Sequence, residues 1–270
     1  MNMASMRTIV PVVALLAGIG VGAGPHGTLP EAQWSFFNAR YETAAALALE
    51  LGESDPEDLA SIELRTSARL FQLKRAIGDR ADKEKAFKQC ALCAELLAAF
   101  LSDTARGQTL ARGRLQLVAD DEAAQFFLGK LDLNYVWLQL GPLGKRTGWD
   151  EYWEARRSLD AVLARNPAHV RARVARAWID YIVDTRMPWG TRWVLGGGNK
   201  KKALASMQEA AAAEADFFVH AEARFALWDL HVRERKLSAA IAIARELARD
   251  FPENDQLVKF LAKHDPDARP

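Results

Sequence analysis

The chain has 270 residues, 36 of them basic and 35 acidic, for a formal net charge of +1, and half of it is hydrophobic. Charges that cancel this closely exclude the global field that gathers nucleic acid. The length allows a single elongated helical array with a substantial core. Abundant Ala and Leu, with few alternating Val/Ile/Thr runs, predict an all-α fold.

The N-terminus reads as a processing segment. Met1 to Arg7 carries one Arg beside the amino group, Ile9 to Val21 is apolar but interrupted by Pro11 and glycines, and Val21-Gly22-Ala23 offers small residues to a peptidase. A membrane span needs about 20 apolar residues, more than this run supplies. The expectation is a signal peptide over 1–23 and one helical-repeat domain over 24–270, exported to a periplasmic or extracellular space. An uncleaved N-terminal anchor is the alternative.

Helical periodicity then governs the chain. Pro30 to Leu51 reads as one helix, with Trp34, Phe37 and Tyr41 on a common face. Asp55-Pro56-Glu57-Asp58 starts a second helix, with Asp55 as its cap, which runs to Ile77 and stops at Gly78. Asp82 caps a third, continuing to about Leu101. It would hold Cys90 and Cys93 mid-helix, either as two small packing residues or as a local disulfide. The Gly-interrupted stretch around Gly107 and Gly113 predicts a loop and a shorter helix.

Asp120-Asp121-Glu122 starts the most apolar helix, Ala123 to Leu140, in which Lys130 and Asp132 argue against a membrane span. Further helices are expected over Asp150 to Arg165, Val170 to Asp184, Phe217 to Arg235, Ser238 to Asp250 and Asp255 to Lys263, with another opened by Asn199. The helix from Val170 is apolar around most of its circumference, so other helices must cover it on two sides.

A repeat runs through this layout. Ala44, Ala155 and Ala240 each lie near a helix start, and each is followed twelve residues later by a proline, Pro56, Pro167 and Pro252. Ala86 and Ala203 open helices the same way without the proline. A small residue lets two helices approach closely, and the proline stops the helix so that the chain turns back. The pattern resembles the second helix of the tetratricopeptide (TPR) repeat. That resemblance implies a TPR-like α-solenoid of stacked hairpins with a concave groove. Leu195-Gly196-Gly197-Gly198, followed by Lys202-Ala203-Leu204, also resembles the interhelical turn of the periplasmic T component of TRAP transporters. This second resemblance implies association with a solute-binding subunit.

Three places invite binding chemistry. The long turn over 185–199 bears Arg186, Trp189, Arg192 and Trp193; two indoles flanked by guanidinium groups suit a partner surface or an anion. Its glycines lack the Gly-Lys-Ser/Thr ending of a phosphate loop, so they read as a sharp turn with Asn199 capping the next helix. Arg173, Arg176, Asp180 and Asp184 form a charged strip that would meet a peptide if it lined the groove. His220, Arg224 and His231 share one side of a later helix, with no carboxylate on it to complete a metal set.

No nucleophile–base ordering, cofactor motif or metal motif is found, and the expected function is an exported scaffold that binds another protein or peptide. The alternative is a carrier or transport accessory for a small apolar or anionic ligand, motivated by Trp149, Trp153, Trp178, Trp189 and Trp193.

Overall fold

The structure is a computed structural model that describes residues 27–268, so the segment read as a signal peptide lies outside the described residues. Among those described there are thirteen α-helices, one closing 3-10 turn and no strand: α1 Leu29–Phe37, α2 Tyr41–Ser54, α3 Leu59–Ile77, α4 Lys83–Lys88, α5 Cys93–Leu117, α6 Glu122–Leu140, α7 Trp149–Arg165, α8 Val170–Arg186, α9 Trp189–Val194, α10 Lys200–Ala212, α11 Phe217–Arg233, α12 Leu237–Asp250 and α13 Asp255–His264. None of them is long and apolar enough to cross a membrane.

The turns show how the sequence repeat works. In 55–58, 166–169 and 251–254 the chain leaves one helix, passes through Pro56, Pro167 or Pro252, and enters the next at Asp58, His169 or Asn254. In all three turns the capping residue's N–H donates to the carbonyl three residues back at 3.1 Å, and its side chain accepts from the new helix. Asp58 therefore caps α3 in place of Asp55: the proline occupies the turn, where its missing N–H costs nothing. The opposite turns repeat as well. Ala39 and Arg235 both take left-handed backbone, at φ 59° and 56°, each five residues before a buried marker alanine, Ala44 or Ala240. The left-handed step at Ala39 splits the helix expected over Pro30 to Leu51, and no glycine announces it.

Two further boundaries differ from expectation. Gly107 and Gly113 do not interrupt α5, which runs 25 residues through both. At Gly107 a Cβ would stand 2.6 Å from Leu131 Cδ1 and 2.9 Å from Ile62 Cγ2, so this glycine serves the close approach of α5 to α6 and α3. Cys90 and Cys93 are joined as a disulfide, and they lie where the chain leaves α4 and enters α5, not within one continuous helix.

Packing follows chain order. The inner helices α1, α3, α6, α8 and α11 pack successively on one another, and the outer helices α2, α5, α7 and α10 each sit between two inner ones. Every marker alanine is buried, and at Gly129 a Cβ would lie 3.3 Å from the Ala155 carbonyl, which records how tightly α6 and α7 cross. The circuit then closes. Phe37 of α1 stacks on Phe218 and Phe225 of α11 and touches Phe251, while the Asn254 side chain donates to the Phe37 carbonyl at 2.7 Å. Arg40–Glu253 and Arg75–Asp255 ion pairs run along the same seam. A stacked rod leaves its ends apart; here the two ends of the described chain meet.

Candidate functional site

The inner side of the ring is tied together by charge. Glu63 of α3, Lys130 of α6, Arg171 of α8 and Glu222 of α11 form a neutral four-membered cluster, with Lys130 Nζ 2.7 Å from Glu222 and the Arg171 guanidinium 2.9 Å from Glu63 and 2.5 Å from Glu222. Ser67 donates to Glu63, and Arg171 stacks over Phe126 at 4.8 Å. Burial alone would push the Glu222 carboxyl up, but Arg171 and Lys130 outweigh it and hold the group at about 2. Burial likewise works against the Arg171 charge, and Glu222 and Glu63 overcome it. All four side chains find partners, so the cluster crosslinks four helices and offers no free group to a ligand.

A second buried group lies between α5, α6 and α7. Asp132 is fully buried; it accepts from Gln108 Nε2 at 2.6 Å, and its other oxygen has no donor. Burial first, and then the neighbouring Glu154 carboxylate, raise it to about 8, while Arg112 hydrogen-bonds Glu154 and holds that partner ionised. Asp132 thus keeps its proton at neutral pH, and donation of that proton to Glu154 satisfies the orphaned oxygen.

The sequence-derived strip on α8 lies elsewhere. Arg176 pairs with Asp160 of α7 at 2.7 Å and with Asp180 at 2.6 Å, and Arg173 reaches Glu209 of α10 at 3.7 Å. These groups join α8 to the outer helices, and the α8 residue in the inner cluster is Arg171. Helix phase decides this: one side of α8 must serve two outer neighbours, and sequence alone does not say which. The trio on α11 disperses in the same way. Arg224 is taken by Glu246 and Asp250 of α12, His231 is buried and held low by that burial, and His220 is half-buried. Among the described residues no three His, Cys, Asp or Glu side chains gather as a metal site.

The 185–199 turn is different. Residues 189–194 form the short helix α9, and its C-terminal half and the residues after it are clamped. Arg156 donates to the carbonyls of Leu195, Gly196 and Gly197 at 3.0, 3.0 and 3.4 Å, and Tyr152 donates to Leu195 O at 2.9 Å. Asp184 accepts from Arg192 and from the Lys200 N–H, both at 2.8 Å. The three glycines serve two ends. Gly196 and Gly197 take φ 74°, whereas a Cβ on Gly198 would lie 2.5 Å from the Asp184 nitrogen. Asn199 caps α10 as expected.

On this fixed mount Trp189 and Trp193 are each 86% exposed, with Val194 and Trp149 open beside them. Trp149, Trp137, Met187 and Leu195 enclose an apolar void of about 20 Å³, room for little more than one water. The tryptophans therefore do not line a common ligand cavity. Arg156, the principal clamp, was not singled out by sequence; nothing in Ala155-Arg156-Arg157 marks it until α7 is laid against the turn.

Charge separates along the helix axes. Because consecutive helices alternate in direction, the linkers 78–92, 141–148, 187–199 and 234–236 lie at one end of the array, and 55–58, 118–121, 166–169 and 213–216 at the other; 38–40 and 251–254, which bond to each other across the seam, belong to neither set. The first set carries nine Lys/Arg and four Asp/Glu, the second seven Asp/Glu and no Lys/Arg. The net charge of +1 hides this polarity, and the exposed tryptophans belong to the basic end. No protein-family model matches this chain, and no curated protein sequence matches it.

Proposed function

We propose that this protein is a non-catalytic interaction module, a TPR-like ring of helical hairpins that presents α9 as a docking knob on an exported chain. The observation that carries this reading is the pair Trp189 and Trp193, bare on a segment held through Arg192 and through the carbonyls that follow its helix. A large apolar side chain left in water forfeits its burial free energy, about 2 kcal/mol each, and a rigid mount lowers the entropic cost of docking. The repeated Pro turns and left-handed turns at Ala39 and Arg235 support the TPR-like description. The docking surface assigned here is the knob, not the concave side, where Glu63, Lys130, Arg171 and Glu222 neutralise one another. A role beside a solute-binding subunit, as the TRAP T-component resemblance implies, is compatible with such a knob.

The test is crosslinking-capture from the exported fraction with the native chain and with a Trp189→Ala/Trp193→Ala variant. Loss of the captured species in the variant is expected; equal capture by both proteins overturns the assignment of α9.

A further inference from the structure

The composition of the surface around α9 narrows the kind of partner. Thr147 and Gly148 of the linker 141–148 and Trp149 at the start of α7 meet Met187 and Leu195, the residues flanking α9, around the small apolar void. Together the stretches 141–149 and 186–202 contain Lys145, Arg146, Arg186, Arg192, Lys200, Lys201 and Lys202 and not one Asp or Glu. Asp184 and Glu234 neutralise Arg192 and Lys200 from outside these stretches. Lys145, Arg146, Arg186, Lys201 and Lys202 make no ion pair among the described residues. Three exposed indoles and Val194 thus project from a patch in which five cations make no ion pair, with Asp150 and Glu151 at its edge and Glu84 near Lys145 as the closest acids, at the end of the array opposite the acidic linkers.

Resting on the α9 reading above, we propose that this end docks on the surface of an anionic phospholipid bilayer. Trp is suited to that boundary, since its ring enters the acyl edge while its N–H remains among the headgroups. Lys and Arg bury their stems and keep their charges at the phosphates. Trp189 and Trp193 lie four residues apart on α9, so both enter from one side of the short helix. With α9 on the surface the acidic linkers are held about a helix length away, beyond the screening distance, so the docked orientation carries no acidic cost: inner helices upright, α9 down.

The test uses the full chain carrying Thr191→Cys, labelled with an environment-sensitive fluorophore between the two tryptophans; the native cysteines are paired with each other and do not react. A label on α9 reports that segment alone, whatever the apolar N-terminal residues do. With vesicles of phosphatidylcholine containing about one quarter phosphatidylglycerol, the emission shifts to the blue and brominated acyl chains quench it. Raising the salt or omitting the anionic lipid weakens the apparent affinity at least about tenfold, as screening of five cations requires. Lys201→Ser/Lys202→Ser weakens it by a smaller factor, and Trp189→Ala/Trp193→Ala abolishes the shift while leaving the helical circular dichroism unchanged. A label that stays in water with anionic vesicles overturns the membrane proposal. If capture of a protein still depends on Trp189 and Trp193 in that case, the knob reading stands; if it does not, both fall. A shift that appears without vesicles and grows with protein concentration points to the acidic end of a second copy and also overturns the proposal.

Discussion

The cluster on the inner helices and the patch around α9 use the same residue types to opposite ends. Glu63, Lys130, Arg171 and Glu222 are collected from four helices, balanced two against two, and hydrogen-bonded to one another. Around α9 the cations come from neighbouring stretches of chain, and most make no ion pair, while the apolar side chains among them are bare. Charge that is paired and partly buried holds a structure together, and charge left uncompensated beside exposed indoles is available to a partner. The contrast separates the groups that make the ring from the groups that it presents.

The sharpest way to break that contrast is Arg171→Met. It leaves Glu63 and Glu222 facing one cation, and a loss of about 3 kcal/mol in urea-denaturation stability is expected. A loss under about 0.5 kcal/mol would show that water already screens the cluster. Asp132→Asn probes the other buried charge and adds a pH signature. Because the folded carboxyl sits at about 8, above its usual 3.8, the native protein holds a proton that the unfolded chain gives up. The contribution of this group to wild-type stability is therefore fully present below about pH 4 and drains away as pH rises toward 8. Asparagine still accepts from Gln108 and donates to Glu154, so the variant should match wild type near pH 4. At pH 8 it should exceed wild type by about 2 kcal/mol, well under the full linkage value because water and side chains relax around the charge. Thermal melts across that range check it, and a constant difference refutes the shared proton.

Gly107→Ala sharpens the steric side of the comparison. The added methyl meets Leu131 and Ile62, flexible side chains that yield in part, and a cost of about 1–2 kcal/mol in the same denaturation assay is expected. The smallest effect belongs to the presented groups: Trp189→Ala/Trp193→Ala should change stability by less than about 0.5 kcal/mol. A larger loss would mean that α9 is part of the core.

Much of the local structure is legible in the chain alone. Asn199 as a cap, the end of a helix at Leu140, and the spacing from marker alanine to proline are short-range matters, settled within a few residues by capping chemistry and steric limits. Elsewhere a distant neighbour overrules a local rule. Gly107 looks like a helix breaker and is instead a contact point for α6 and α3, while Ala39 breaks a helix with no residue that advertises it. The binding candidates divide along the same line. Trp189 and Trp193 lie on a turn whose length alone makes it conspicuous, whereas Arg173, Arg176 and Arg224 are plausible only until their partners on α7, α10 and α12 come into view.

By itself the sequence determined helices, turns and the alternation of hairpins, because those follow from interactions within one or two turns of chain. It could not determine that Phe37 closes on Phe218 and Phe225, that Arg171 reaches both Glu63 and Glu222, or that the basic linkers collect at one end. Those facts depend on the angle accumulated from hairpin to hairpin, a small rotation set by side-chain packing at every interface. Only the assembled array adds those rotations up, and only then do residues 180 positions apart become neighbours.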